Sequence, residues 1–125
     1  MKRILLIDDC TELRVALSTY LSHKGWDVVE AENGREGIDT YLKEPSISLI
    51  ILDLFMPVMD GIEVLEYFHG QGNLPIVVIS GGSPEGVQLL EVAKELGAIA
   101  IIEKPFAPSI LIPILEDALG PISAS

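Results

Sequence analysis

Four short stretches of the sequence are almost continuously apolar and rich in isoleucine and valine, and they constrain the fold more than any other feature. They lie at residues 4–7, 47–52, 74–79 and 99–102. None has a polar residue at every second position, which is the pattern of strands that are buried on both faces. A fifth stretch, residues 26–31, carries two acids among its valines, and we predict that it is a half-exposed edge strand.

Apolar residues recur at helical spacing between these stretches. After Thr11, a predicted N-cap, the first helical segment has leucines at positions 13, 17 and 21, and Gly25 is expected to end it. Similar patterns cover approximately residues 35–43, 62–68, 87–96 and 109–119. Strands and helices therefore alternate five times along the chain.

Strict alternation with short connections predicts right-handed crossovers and a parallel sheet with helices on both faces. We therefore expect an α/β fold of the open, doubly wound type. A chain of 125 residues fits one domain. We place this domain at residues 1–120, with residues 121–125 as a C-terminal tail or the start of a linker.

Composition narrows the classes of function. Eight basic and nineteen acidic residues give a net charge of −11, which would repel nucleic acid, so we expect no DNA binding. The charge serves either solubility, which is the simpler interpretation, or the steering of a cationic partner. No apolar stretch approaches the ~20 residues of a membrane span, and the first one is too short for a signal peptide. With one cysteine, Cys10, no internal disulfide can form, and we predict a cytoplasmic protein.

Residues with chemically useful side chains follow the predicted strands. Asp8 and Asp9 follow the first strand, Asp53 the third, Ser80 the fourth and Lys104 the fifth. Open parallel sheets bind ligands at this edge. If the first and third strands are neighbours, three carboxylates crowd together, and a hard cation such as Mg²⁺ would compensate their repulsion. Each acid alone could be a helix cap, but the whole combination would rarely coincide in a purely structural domain.

Five segments read ILLIDD at residues 4–9, VVEAENG at 28–34, DLFMPVMDG at 53–61, PIVVIS at 75–80 and KPF at 104–106. Together they resemble the receiver domain of two-component response regulators, a family that includes the chemotaxis regulators. The resemblance extends from about residue 2 to residue 120. It implies a flavodoxin-like, five-stranded parallel sheet in the order 2-1-3-4-5, with helices on both faces.

The resemblance also implies a chemistry for the acids. Asp53 would be the phosphoacceptor, taking a phosphoryl group from the phosphohistidine of a sensor histidine kinase or a histidine phosphotransfer protein. Mg²⁺ would be held by Asp8, Asp9, Asp53 and the backbone carbonyl of Phe55. The chain would then be a phosphorylation-dependent signalling switch and not a conventional enzyme.

Two further side chains would serve the phosphorylated state. By resemblance, Lys104 would pair with one phosphoryl oxygen, Ser80 would donate its hydroxyl to another, and the bond between Lys104 and Pro105 would be cis. The sequence departs from the family pattern at Ile101, where receiver domains usually carry tyrosine or phenylalanine. The route by which the signal leaves the site is therefore open.

The predicted fifth helix is apolar around much of its circumference, at Ile110, Leu111, Ile112, Ile114 and Leu115, and Pro113 is expected to bend it. We hypothesise that it contacts an effector domain, an output partner or a second subunit, the last as a weak homodimer. A dimer held by paired charges is not expected, because Lys94 is the only base in this part of the chain outside the predicted site.

Two alternatives to the switch are open. The first is a receiver-like module that binds partners without being phosphorylated. The second is an aspartyl-phosphate phosphatase of the haloacid dehalogenase type, which requires an aspartate where this chain has Phe55. Treatment with a small phosphoryl donor and Mg²⁺ distinguishes the switch from the binding module.

Overall fold

A computed structural model describes residues 2–44, 46–54, 59–70, 74–81 and 86–120, with the side chains of residues 86–88 left aside. Strands and helices alternate in these ranges as β1 (Arg3–Ile7), α1 (Thr11–His23), β2 (Asp27–Ala31), α2 (Gly34–Lys43), β3 (Ile47–Asp53), α3 (Gly61–Phe68), β4 (Ile76–Ser80), α4 (Gly86–Glu95), β5 (Ala98–Glu103) and α5 (Leu111–Leu119). None of the helices described is long and apolar enough to cross a bilayer.

All five strands run parallel, in the order β2-β1-β3-β4-β5. The predicted doubly wound sheet and its strand order are therefore confirmed. β1 and β3 are direct neighbours, and Ile7 at the end of β1 pairs with Leu52. Asp8 and Asp53, which directly follow this pair, therefore lie side by side at the carboxyl edge of the sheet.

The core has two layers, one on each face of the sheet. Helices α2, α3 and α4 pack on one face, where Ile38, Leu65 and Ala93 are buried. Helices α1 and α5 cover the other face with Leu17, Leu21, Leu111 and Leu115. Residues 4–7 and 49–52, in β1 and β3, are 0% exposed. At about 1.5–3 kcal/mol for each large apolar side chain, their burial is a main source of stability.

The exposure of one edge strand was predicted correctly from the sequence, and that of the other was not. β2 is an edge strand with mostly half-exposed residues, as predicted. The prediction that residues 99–102 are buried on both faces is wrong, because β5 is the other edge and Ile99 is 51% exposed. The register shifts here: Ile76 pairs with Ala98 and Val77 with Ala100, so Ile99 has no partner residue in β4.

Helix ends also depart from the predictions. Cys10, not Thr11, is the N-cap of α1, and its side chain makes no capping hydrogen bond. Gly25, with a φ of 96°, follows the end of α1 as expected. α5 begins at Leu111 because residues 108–110 form a 3₁₀ turn. Pro113 therefore lies in the first helical turn, where its missing N–H removes no hydrogen bond of the helix interior.

Candidate functional site

Three carboxylates gather at the carboxyl edge of the sheet. Asp8 and Asp9 follow β1 and Asp53 ends β3, and one carboxylate oxygen of each lies within 4.8 Å of the others. Asp8 and Asp53 are buried, at 0% and 3% exposure, whereas Asp9 is exposed. The adjacency of β1 and β3 brings the three acids together.

Asp8 is held at three of its polar atoms. Its backbone N–H donates to the carbonyl oxygen of Ala31 (3.1 Å), and its carbonyl oxygen accepts from Nη1 of Arg14 (2.8 Å). Its Oδ1 accepts from the backbone N–H of Cys10 (2.9 Å). The fourth atom, Oδ2, is buried and receives no hydrogen bond from the residues described. Because an unsatisfied buried acceptor is costly, Oδ2 is the atom at which a cation or a donor would be stabilising.

Lys104 is the one basic side chain within 4 Å of the buried carboxylates in the part of the chain described. Its Nζ lies 3.5 Å from Oδ2 of Asp8 and 3.6 Å from Oδ2 of Asp53, and its side chain is 27% exposed. Its backbone N–H donates to the carbonyl oxygen of Ser80 (2.8 Å), and the bond to Pro105 is cis, as the resemblance implied. One ammonium group pairs with two of the three clustered carboxylates, so negative charge is in excess at this edge.

Ser80 lies beside these charged groups. It ends β4 and is 1% exposed. Asp53 pairs with Ile79, and Ser80 pairs with Glu103, the residue before Lys104. The sheet register therefore places Ser80 between the strand ends that carry the acid and the lysine.

The loop between β3 and α3 is anchored on both sides of the residues that are not described. Gly61 donates its N–H to the carbonyl oxygen of Leu54 (2.9 Å). Asp60 caps α3 by accepting from the N–H of Glu63 (3.0 Å). The backbone carbonyl of Phe55, which the resemblance adds to the metal ligands, lies outside the residues described. The fourth predicted ligand therefore stays a prediction.

The donor set fits a hard divalent cation. All three side chains offer carboxylate oxygen, which Mg²⁺ prefers to nitrogen or sulfur. One oxygen of each carboxylate lies within 4.8 Å of the others, so a single cation could bind among them. Oδ2 of Asp8 is buried, accepts no hydrogen bond from the residues described and has one ammonium, that of Lys104, 3.5 Å away; this is the observation that favours a metal most.

Sequence analysis missed two residues that shape this site. Arg14 contacts the backbone of Asp8 from α1, and no local pattern announces that contact. A Cβ on Gly61 would lie 2.6 Å from both the carbonyl oxygen of Asp53 and the Cα of Leu54, so the backbones approach too closely for a side chain. The one sequence feature that indicated a special role for Gly61 is its position at the end of the nine-residue segment that begins at Asp53.

The fold and the site together define a class of domain. It has a doubly wound parallel sheet, with a group of three acids, a lysine and a hydroxyl at the carboxyl ends of its strands. The family model described as the response regulator receiver domain matches residues 4–116. The chain belongs to this family.

Named relatives agree with the family. A transcriptional regulatory protein of Haemophilus influenzae, a CpxR homolog, is 38% identical over 85% of this chain and 45% of its own length. A chemotaxis protein CheY homolog of Campylobacter jejuni is 32% identical over 94% of this chain and 92% of its own length. The structure of the response regulator TrrA from Thermotoga maritima, in complex with Mg²⁺-BeF, has a TM-score of 0.82 at 26% identity and covers 95% of this chain and 100% of its own.

The relatives differ in length. This chain spans about half the length of several curated relatives, from 43% to 57%, including the CpxR homolog. Those proteins contain further sequence beyond the part that matches. The family assignment therefore concerns the receiver domain, and the output of the whole protein is a separate question.

Proposed function

We propose that this chain is a phosphorylation-dependent switch in which Asp53 accepts a phosphoryl group from the phosphohistidine of a histidine kinase or phosphotransfer protein. A carboxylate oxygen of Asp53 attacks phosphorus, the phosphorus–nitrogen bond breaks, and the imidazole nitrogen leaves with the electron pair. The observation that carries this proposal is the placement of a buried Asp53 carboxylate 3.6 Å from the Lys104 ammonium, inside a group of three acids.

The other site residues receive roles in the same proposal. Asp8, Asp9, Asp53 and the Phe55 carbonyl would hold Mg²⁺, which when bound neutralises charge on the transferring group. Lys104 neutralises one phosphoryl oxygen, since its Nζ already lies beside the carboxylate that is modified. Ser80 donates its hydroxyl to another oxygen, which its position at the end of β4 supports. The Mg²⁺-BeF complex of TrrA supports a metal in this family.

The signal would leave through the face that β5 and α5 share. Phosphorylation adds about −1.5 to −2 charges beside Ser80. Ile101, where the family usually has an aromatic residue, is half-buried and packs on the opposite face of the sheet, with the core layer of α2, α3 and α4. A shallow depression on the face that β5 and α5 share is lined by Ile99, Ala100, Ile114, Asp117 and Ala118. An effector domain, an output partner or a second subunit would cover it.

The cytoplasmic location and the domain boundary at residue 120 stay predictions.

Phosphorylation is tested with acetyl phosphate and Mg²⁺, followed by intact-mass measurement. We expect the wild-type protein to gain one phosphoryl group and Asp53→Asn to gain none, because the amide is not a nucleophile of comparable strength. Asp39→Asn, an equal change at an exposed position of α2, is the control and should behave as wild type. No gain by the wild type with any donor would instead favour a module that only binds partners.

The apolar face is tested by sedimentation of the phosphorylated protein over a range of concentrations. If the face joins two subunits, Ile99→Ser should weaken association at least several-fold with little change in stability, because the side chain is half exposed in the monomer. Leu42→Ser, at a 62% exposed position on α2, is the matched control and should not change association. A chain that remains monomeric at every concentration contradicts the homodimer.

A further inference from the structure

Arg14 bridges two strands across the turn that carries Asp8 and Asp9. It lies in the first turn of α1, yet its side chain is only 12% exposed. Its Nη1 donates to the carbonyl oxygen of Asp8 (2.8 Å), and its Nε donates to Oε1 of Glu30 on β2 (3.1 Å). The guanidinium therefore links Asp8, which follows β1, to Glu30 on β2.

This bridge reinforces a second connection between the same elements. The N–H of Asp8 donates to the carbonyl oxygen of Ala31, the residue after Glu30. Both backbone polar groups of Asp8 are thus tied to β2, one directly and one through Arg14. The Cys10 N–H holds Oδ1, so the remaining oxygen, Oδ2, is directed at Lys104, 3.5 Å away.

We infer that Arg14 is a positioning residue for the acidic centre: it holds the β1–α1 turn so that Asp8 and Asp9 present their carboxylates to a divalent cation. The inference rests on the proposed function, since it assigns Mg²⁺ to that centre. Arg14 acts through the Asp8 backbone, and partners of this kind typically change metal affinity by about 10–100-fold when they are removed.

The sign of the effect separates positioning from simple electrostatics. Removal of a positive charge near carboxylates, with no movement of the acids, strengthens the binding of a cation. Loss of the bridge lets the turn move, and this weakens the binding. A weaker affinity for Mg²⁺ in an Arg14 variant therefore cannot be an effect of charge alone.

The experiment is a calorimetric titration of the full chain with Mg²⁺ alone, without a phosphoryl donor. Arg14→Met should weaken Mg²⁺ binding at least about tenfold. Arg14→Lys, which keeps the charge but lacks the forked donor, should weaken it less. Arg35→Met removes the same charge from an exposed position near the start of α2, and Mg²⁺ binding should be unchanged or stronger.

Stability and the proposed function are controlled separately. Urea denaturation shows whether each variant is folded under the titration conditions. If Arg14→Met does not fold, Arg14→Lys carries the test, because it keeps the positive charge but cannot make both hydrogen bonds, and it should still weaken Mg²⁺ binding. Unchanged affinity in a folded Arg14→Met overturns the role of Arg14, as does an equal loss in Arg35→Met. A wild-type chain that binds no Mg²⁺ contradicts the proposed metal site itself.

Discussion

Gly61→Ala is expected to lower the free energy of unfolding by about 2–3 kcal/mol, because the new methyl group would overlap backbone atoms. The added carbon would lie 2.6 Å from the carbonyl oxygen of Asp53 and 2.6 Å from the Cα of Leu54. Neither neighbour is the flexible end of a side chain, so relief requires movement of β3 or α3. The same movement displaces Asp53, and we expect weaker Mg²⁺ binding together with the loss of stability.

The measurement is equilibrium denaturation in urea, with a Mg²⁺ titration of the folded variant. Gly81→Ala is the matched control, since a Cβ at this exposed position meets nothing within 4 Å. It should change stability by less than about 0.5 kcal/mol, as is usual for surface substitutions. Equal stabilities for the two alanine variants would show that the close approach at Gly61 imposes no constraint.

Lys104→Met is expected to lower the free energy of unfolding without Mg²⁺ by about 2–3 kcal/mol. The variant leaves Asp8 and Asp53 buried without the ammonium that lies 3.5 and 3.6 Å from them. Because the lysine and a divalent cation neutralise the same carboxylates, Mg²⁺ should bind the variant more tightly. Thermal denaturation with and without Mg²⁺ should therefore show a larger stabilisation by the metal in Lys104→Met than in the wild type.

Lys94→Met is the matched control for this substitution. Lys94 pairs with Glu91 at 3.8 Å, but the two side chains are 61% and 75% exposed. Exposed pairs contribute roughly 0–1 kcal/mol, so Lys94→Met should alter neither stability nor the response to Mg²⁺ by much. An unchanged metal response in Lys104→Met would mean that the lysine does not share the acids with the cation. In phosphorylated Lys104→Met, the phosphoryl group on Asp53 should also lack the positive charge that Lys104 supplies in the wild type.

The same group of acids should therefore lower the stability of the metal-free protein and favour the binding of a cation. Three carboxylates within 4.8 Å repel each other, and only one ammonium of the described chain lies among them. A repulsive group of this kind costs stability in the absence of metal and favours the binding of a cation. Strain of this sort is commonly retained where function needs it.

Much of this fold follows from local patterns in the sequence. Apolar stretches without polar alternation predict strands buried on both faces, and their alternation with helical patterns predicts a parallel, doubly wound sheet. The candidate site was predictable for the same reason, since the acids, serine and lysine follow strands whose carboxyl ends share one edge. The segments at residues 53–61 and 104–106 indicated the family, and the resemblance in turn implied the chemistry of the site.

Other features depend on contacts between distant parts of the chain. Ile99 belongs to an apolar stretch, but its exposure results from the edge position of β5 and the register shift opposite Ile76. Arg14 looks like any helical arginine until β2 brings Glu30 beside it, and the lack of space at Gly61 exists only where α3 meets β3. Local sequence patterns suffice to predict the elements, the sheet type and five side chains of the candidate site, but not the parts played by Arg14 and Gly61. Tertiary structure decided which strand edges are exposed, which cation holds which acid and where a methyl group has no room, because these depend on register and packing between elements and not on local periodicity.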